Sequence, residues 1–567
     1  MSAIRRAFLA GACALASGCT TFYSHTNEPL GSRPPAPEAG RASLAVTAER
    51  GNPKVLVMLA LSGGGSRAAY FSAAVMLKLQ KLFPERDLLR EVDVLSSVSG
   101  GSMTAAYYAI SKDARIDDGA LAAAVAPPPP GEPVAADKLR REPDGSLACS
   151  AALSPAEERK LNARADPHRA RRVVDLCRQA GVASDRIWDE ATVKDLMTRD
   201  YVWRWIGNWF WPTNILKYWL TAFDRSDLMA QTFADNLYDV AIIGRDLTFA
   251  ELNPERPYLI INSTNATGGY SAGAGGDGLP FGSVFTFTTE DFRDRIGSDL
   301  STYSVARAVM ASASFPVVFA SMTLRDYRPQ PGKDKRYVHV FDGGNSDNLG
   351  LATLKRVLLE AALDGRIANY DRVVVISIDA FTRPAGVPSV DPDSRGDFFS
   401  FFLDTNLSSA IDSLLQANRA NNLDQFRNRT FTWKECDVGL RTFPTQLCDA
   451  IEKLGSSLDG RLGLAKRLVF YHIGFDDAGD AQIDDVDKDG NLVKIRLTER
   501  LDRIPTSLKI SDPDRSAIDA AVELIVNDRN DCLRAIRDIV GGSGSSAETA
   551  HKTCQDAEPE ARAGARR

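Results

Sequence analysis

Residues 92–110 read VDVLSSVSGGSMTAAYYAI, and they constrain the fold more than any other stretch. Val92, Val94, Leu95 and Val98 make an apolar run short enough for a buried strand. The run breaks at Ser99-Gly100-Gly101 and resumes as a small-residue helix through Ala105, Ala106, Tyr107 and Tyr108. A strand, a sharp turn carrying a serine and a helix are the layout of a nucleophile elbow. Such a turn holds its serine in a strained backbone conformation, so the residues two before and two after it must be small. Here they are Ser97 and Gly101. The pattern G-x-S-x-G thus lacks its first glycine, and serine is the next smallest polar choice. Ser96, Ser97, Ser99 and Ser102 crowd together, but only Ser99 falls at the break with a glycine following. The alternative is a plain strand–turn–helix whose serine caps the helix.

A second strand–turn–helix lies upstream. Residues 54–61, KVLVMLAL, form a continuous apolar run of the kind buried in a parallel sheet. Ser62-Gly63-Gly64-Gly65-Ser66-Arg67 follows, then a helix over residues 68–82 with Phe71, Val75, Leu79 and Leu82 on one face. Glycines between a strand and a helix leave backbone N–H groups unobstructed at a helix N-terminus, which suits an anion or a developing oxyanion. A phosphate-binding P-loop would need a lysine that is absent here. A dinucleotide fingerprint would need glycine where Ala68 stands, and no acidic residue follows convincingly at a strand end. The oxyanion reading survives because an elbow follows one helix later. Its candidate donors are the N–H groups of Gly63, Gly64, Gly65 and Gly100.

These two motifs together resemble the patatin-like phospholipases, in which a G-G-G-x-R loop precedes a serine elbow. The family's later D-G-[GA] signature is matched by Asp342-Gly343-Gly344 at the end of the run YVHVFD. Ala311-Ser312-Ala313-Ser314-Phe315-Pro316 is similar to the A-S-x-[AS]-x-P segment before that strand, and Tyr258 to Asn262 with Thr267-Gly268 is similar to its intervening strand and turn. Ile504-Pro505-Thr506-Ser507-Leu508 resembles a segment of bacterial members. The resemblance implies a three-layer α/β/α fold and a serine lipid acyl hydrolase of phospholipase A type. It assigns the nucleophile to Ser99 and the base to Asp342, with Gly101, Gly343 and Gly344 as support and Arg67 orienting the glycine loop. A Ser–His–Asp triad is the rival. Of five histidines, His25, His168 and His551 fall in peripheral segments, while His339 and His472 sit within strand-like runs and read as structural. The expected substrate is a phospholipid or other lipid ester, with no metal or organic cofactor. An esterase or thioesterase acting on soluble acyl substrates, and an inactive lipid-binding lipoprotein, are the alternatives.

Further strands are predicted at residues 283–288, 372–378 and 468–473, and helices at 351–363 and 516–526. Strands alternating with helices predict a mostly parallel central sheet covered by helices on both faces. With 44% hydrophobic and 25% charged residues the 567-residue chain has a globular composition. A net charge of −6 without a basic stripe gives no reason to expect nucleic acid as a partner.

The amino terminus carries two arginines, then an apolar run over residues 7–16 too short to span a bilayer, then Leu15-Ala16-Ser17-Gly18-Cys19-Thr20. This resembles a bacterial lipoprotein signal at residues 1–18 with Cys19 as the lipidated first residue; ordinary cleavage after Ala16 is the rival. Thr20 directs the expectation to the outer membrane. Residues 19–53 read as a flexible tether and 54–530 as the catalytic domain, with an insertion at about residues 111–250. Residues 531–567 read as a disulfide-tied, mostly disordered tail. Cys149, Cys177, Cys436, Cys448, Cys532 and Cys554 fall into three local couples, the arrangement of three disulfides in an oxidising space; buried thiols are the alternative. Within the insertion, residues 201–223 gather Trp203, Trp205, Trp209, Trp211 and Trp219. They form either a membrane-facing surface or a cap whose aromatics pack inward. Asp485-x-Asp487-x-Asp489-Gly490 matches half a calcium loop, but Arg496 at the twelfth position argues for a polar turn.

Overall fold

The computed structural model describes residues 25–31, 40–114, 138–141, 147–162, 167–182, 186–238, 245–267, 280–316, 318–328, 336–382, 405–433, 436, 445–454, 463–486 and 491–557. Cys19, the signal segment, the proline run at 127–130 and residues 487–490 lie outside them.

The main sheet has eight strands: β1 (Val55–Leu61), β2 (Val94–Val98), β3 (Tyr258–Asn265), β4 (Val284–Phe287), β5 (Met322–Asp326), β6 (Arg336–Asp342), β7 (Arg372–Asp379) and β8 (Leu468–Gly474). The order β3-β2-β1-β7-β8 is parallel throughout. β4, β5 and β6 join antiparallel on the β3 side, which makes the sheet mixed. Continuous apolar runs are what a strand needs when both faces are covered. In β1, Val55, Val57, Leu59 and Leu61 enter one core layer with the helices α1 (Gly65–Lys81) and α2 (Gly100–Ile110). Leu56, Met58 and Ala60 enter the other with α3 (Leu351–Leu363). Alternate residues of a strand face opposite sides, so one apolar run serves two layers. The predicted three-layer arrangement follows.

β3 is where two strand ends are brought together. One of its edges pairs with β4 over residues 261–264. Its other edge pairs with β2 as far as Val98 opposite Asn262, and then with β6 from Asp342 opposite Ser263. β2 and β6 therefore run toward each other along one edge, and their C-terminal ends meet.

Three peripheral expectations change. Part of the expected tether belongs to the domain: Ala42, Leu44 and Val46 are buried, and Glu290 accepts from the Ser43 hydroxyl and the Leu44 N–H. Its apolar residues alternate with period two and leave one face to dock. The expected disordered tail instead carries the helices Asp531–Val540 and Ala547–Ala557. The second packs on edge strand β8 through Ala550, His551 and Cys554, where the His551 ring accepts from the Phe470 N–H at 3.1 Å. The insertion divides in two. Residues 147–177 hold a small core of their own, including Leu161 and Val173. Residues 187–238 join the main core through Trp188, Tyr201 and Phe233. The cysteine couples form the disulfides Cys149–Cys177, Cys436–Cys448 and Cys532–Cys554.

Candidate active site

Ser99 sits where β2 turns into α2, with φ 49° and ψ −119°. A non-glycine residue at positive φ costs about 1–3 kcal/mol and persists only where its surroundings enforce it. Here they do. The Ser99 N–H donates to Ser312 Oγ at 2.8 Å, and Ser312 in turn donates to the Asn262 carbonyl at 2.5 Å. Ser99 occupies the N-cap position of α2 yet makes no capping bond. Its hydroxyl donates to Asp342 Oδ2 at 3.2 Å instead. The helix-cap alternative therefore fails on geometry. Ser97, at the missing glycine position, donates to the Ile260 carbonyl and accepts from Ser102 Oγ, so the extra hydroxyl is absorbed by the sheet.

Strand register delivers Asp342. Val98 lies opposite Asn262 and Asp342 opposite Ser263, so the residue after Val98 arrives beside Asp342. Asp342 Oδ1 accepts the Gly344 N–H at 2.7 Å. A side chain at Gly344 would begin 3.0 Å from that oxygen, and one at Gly343 would begin 2.4 Å from the Asn262 carbonyl. The two glycines let the chain turn tightly beneath the carboxylate. Burial pushes the Asp342 carboxyl up to about 6, against the pull of the Gly344 and Ser99 hydrogen bonds.

The glycine loop faces the elbow. A Cβ on Gly100 would lie 2.0 Å from the Gly65 carbonyl oxygen, and one on Gly101 2.7 Å from that of Ser62, so the two turns are in backbone contact. Gly64 and Gly65 have φ 139° and 60°. Among the described residues no acceptor meets the N–H groups of Gly64, Gly65 and Gly100. Gly63 is different: its N–H donates to the Asn348 carbonyl at 3.0 Å, which removes it from the expected oxyanion donors. Arg67 is buried and donates from Nε to the Ala380 carbonyl and from Nη1 to that of Ile504, tying the loop to the end of β7. The 504–508 segment closes the loop from outside, where the Ser507 carbonyl accepts the Ser66 N–H at 2.7 Å.

Neither strand histidine reaches the serine. His339 lies three residues before Asp342 on β6, hence on the opposite face, and shares a 3.1 Å hydrogen bond with Thr323 Oγ1. His472 is on β8, three strand spacings or about 14 Å from β2, and meets Asp379 Oδ2 at 3.2 Å. Arg419 Nε meets the same oxygen at 2.5 Å.

Sequence reasoning assigned no role to Ser312, Asn262 or Asn348. The first two brace the elbow. The Asn348 side chain lies between Gly63 and Gly344, with its Oδ1 2.5 Å from where a Gly63 Cβ would be. Its signal was the D-N-L-G that follows the D-G-G motif. A cavity of about 810 Å³ opens at the opposite, N-terminal ends of the strands, lined by Arg50, Arg86, Arg90 and Arg171. It contains neither Ser99 nor Asp342, and Arg86 and Arg171 pair with Glu91 and Arg90 with Asp175. Among the described residues no group of side chains is arranged to hold a metal ion.

A family model described as patatin-like phospholipase matches residues 59–355, just over half of the chain, from the C-terminal end of β1 through β6. The human GIVD cytosolic phospholipase A2 structure is similar at 11% identity and a TM-score of 0.27, over 57% of this chain and 42% of that one. The match thus spans less than half of that neighbour's length. No curated protein matches the chain.

Proposed function

The chain belongs to the patatin-like phospholipase family, and on that premise we propose that it is a serine lipid acyl hydrolase of phospholipase A type, working through a Ser99–Asp342 dyad. The observation that carries the reading is the 3.2 Å hydrogen bond from the strained Ser99 hydroxyl to the buried Asp342 carboxylate. Ser99 Oγ attacks the ester carbonyl carbon while its proton passes to Asp342 Oδ2. The N–H groups of Gly64, Gly65 and Gly100 face the oxyanion that forms. Collapse breaks the bond to the alcohol, which leaves with the proton from Asp342. Water, losing a proton to Asp342, then cleaves the acyl–Ser99 ester and frees the fatty acid, and Asp342 returns the proton to Ser99 Oγ. A base poised near 6 is ionised at neutral pH and still takes up a proton readily, which supports the assignment.

On the same reading the substrate is a phospholipid or other lipid ester presented by a membrane. The chain is exported and held at the bacterial outer membrane through a lipid on Cys19. Three disulfides support an oxidising compartment.

A fluorophosphonate probe tests the chemistry. Wild type is expected to be labelled, and folded Ser99→Ala and Asp342→Asn variants are expected to stay unlabelled. Labelling that persists in Ser99→Ala would place the nucleophile elsewhere. Activity on short-chain esters that does not rise above the micellar threshold would favour the soluble-ester alternative.

A further inference from the structure

The stretch 201–220 folds as two short helices, Tyr201–Trp209 and Pro212–Leu220. The first is anchored. Tyr201 packs edge-on to Phe233, Trp205 packs against Phe319, and the Trp205 indole donates to the Arg225 carbonyl. Asn208 reaches Thr232 Oγ1 at 3.0 Å. The second helix is inside out. Its one buried residue is the polar Asn214, whose Nδ2 donates back to the Asn208 carbonyl. Its apolar residues face outward instead: Leu216 is 59% exposed, Trp219 78% and Leu220 49%. Trp203, Phe210 and Trp211 add 68%, 70% and 63% from the first helix and the turn. Eight of the fourteen large apolar side chains exposed among the described residues fall between 203 and 220. A monomer in water does not gather such a patch without a use for it.

Charge and length choose the occupant. Residues 201–223 contain no aspartate or glutamate and carry Arg204 and Lys217; the flanking Asp200 pairs with Lys509, and Asp224 caps the helix Arg225–Leu237. Tryptophan and tyrosine favour the level of lipid headgroups, and cations at the rim of an apolar face favour anionic lipid. No helix among the described residues is long and apolar enough to cross a membrane, and each of these two has nine residues. Such elements lie in the interface rather than span it.

The hairpin also stands on the catalytic end of the sheet. Phe319, under Trp205, donates its N–H to the Phe315 carbonyl, and Ser226 Oγ at the foot of the hairpin holds the Ala320 carbonyl. The same segment begins at Ser312, which receives the Ser99 N–H, and Ser314, whose carbonyl receives that of Asp342. We propose that the 201–220 hairpin is a docking wedge for an anionic lipid bilayer, inserted through its outward helix, that brings the membrane surface alongside Ser99. Its purpose rests on the lipid-ester reading above, whereas the docking itself stands on the exposed aromatic face.

The test is vesicle co-sedimentation of the full chain carrying Cys19→Ser, which removes the lipid anchor, and Ser99→Ala, which keeps the vesicles intact. The probe is a vesicle of phosphatidylcholine and phosphatidylglycerol. Trp211→Ala with Trp219→Ala should weaken partitioning by roughly tenfold or more. The melting temperature should be unchanged, because both rings are exposed. Binding should be weaker on phosphatidylcholine alone. Equal binding by the double variant, equal binding to both vesicles, or a patch-dependent dimer that the double variant dissolves would each overturn the proposal. If wild type instead hydrolyses no ester while vesicle binding persists, the hydrolase reading fails and the docking stands.

Discussion

Two aspartates end two strands of one sheet, equally buried, and their surroundings give them opposite properties. Asp342 closes β6 facing the Ser99 hydroxyl and the Gly344 N–H, and burial lifts its carboxyl to about 6. Asp379 closes β7, where burial would lift it too, but the Arg419 guanidinium and His472 more than offset this and hold it far below the usual carboxylate range. The presence of a cation makes the difference. A carboxylate that must accept a proton from a serine is kept away from positive charge, and one that ties β7, β8 and the 405–428 helix together is given two side-chain partners. The chain places its histidine with the second aspartate, which is why a triad does not form at the first.

The same substitution at both sites should therefore separate them most sharply. Asp342→Asn is expected to lower kcat/KM on a lipid ester by roughly 10²–10⁴-fold while raising stability at neutral pH by up to about 3 kcal/mol, because the variant no longer holds a buried charge. Asp379→Asn is expected to destabilise the fold by about 3 kcal/mol, because the half-buried Arg419 loses its counter-charge and the buried His472 its carboxylate partner. Its activity per folded molecule should be retained. Urea unfolding and active-site titration with the fluorophosphonate measure both quantities. A destabilised Asp342→Asn, or an Asp379→Asn protein that folds normally but cannot be labelled, would break the contrast.

The pH dependence sharpens it. A carboxyl raised in the folded state binds its proton more tightly there than in the unfolded chain. Its contribution to stability is thus greatest below about pH 4 and lost as pH rises toward about 6. Catalysis runs the other way, since only the ionised Asp342 can act as base. kcat/KM should fall as pH drops through about 6, and the gain in stability of Asp342→Asn should vanish below about pH 4. Burial raises Asp347 to about 6 as well, against the pull of the Thr353, Ala352 and Leu349 N–H groups. It is present in both proteins, so the difference between them isolates Asp342. Asp379 contributes across this whole range and loses its contribution only at more acid pH.

The asymmetry between the two aspartates also marks how far the sequence could be read. The apolar runs of β1, β7 and β8, the glycine loop and the serine turn are local patterns, and each was legible where it stood. Asp342 was legible through the D-G-G motif. The Asp379–Arg419–His472 cluster was not, because its members come from three elements joined only by packing. Gly63 shows the same limit: its N–H is spent on Asn348, 285 positions later, and no local pattern announces that contact. The first helix of the expected tail, with Cys532, Leu533, Ile536, Ile539 and Val540 at helical spacing, was legible and went unread. By contrast, Ala42, Leu44 and Val46 in the expected tether, and Ala550 and Cys554 at the far end of the tail, are too few to outweigh the polar residues around them. They become core only because a sheet face and the edge of β8 are there to receive them. The aromatic hairpin was legible as composition, but its division into an anchored helix and an outward one depends on Phe319 and Thr232.

The smallest expected effect bears on the base directly. His472→Gln removes one of three partners of Asp379 and leaves Arg419 and the Phe381 N–H in place, so a loss of about 1 kcal/mol in stability is expected. The acid limb of kcat/KM should stay at about 6, because the carboxylate that produces it lies on β6. A limb that moved with His472→Gln, in a protein still folded, would mean that the imidazole, three strands away in this structure, reaches the serine in the working enzyme. Histidine would then be the base, and Asp379, with its low carboxyl, would be its orienting partner. The two aspartates would exchange the roles their surroundings assign them. An unmoved limb leaves the burial of Asp342, with no cation beside it among the described residues, as the feature that tunes the reaction.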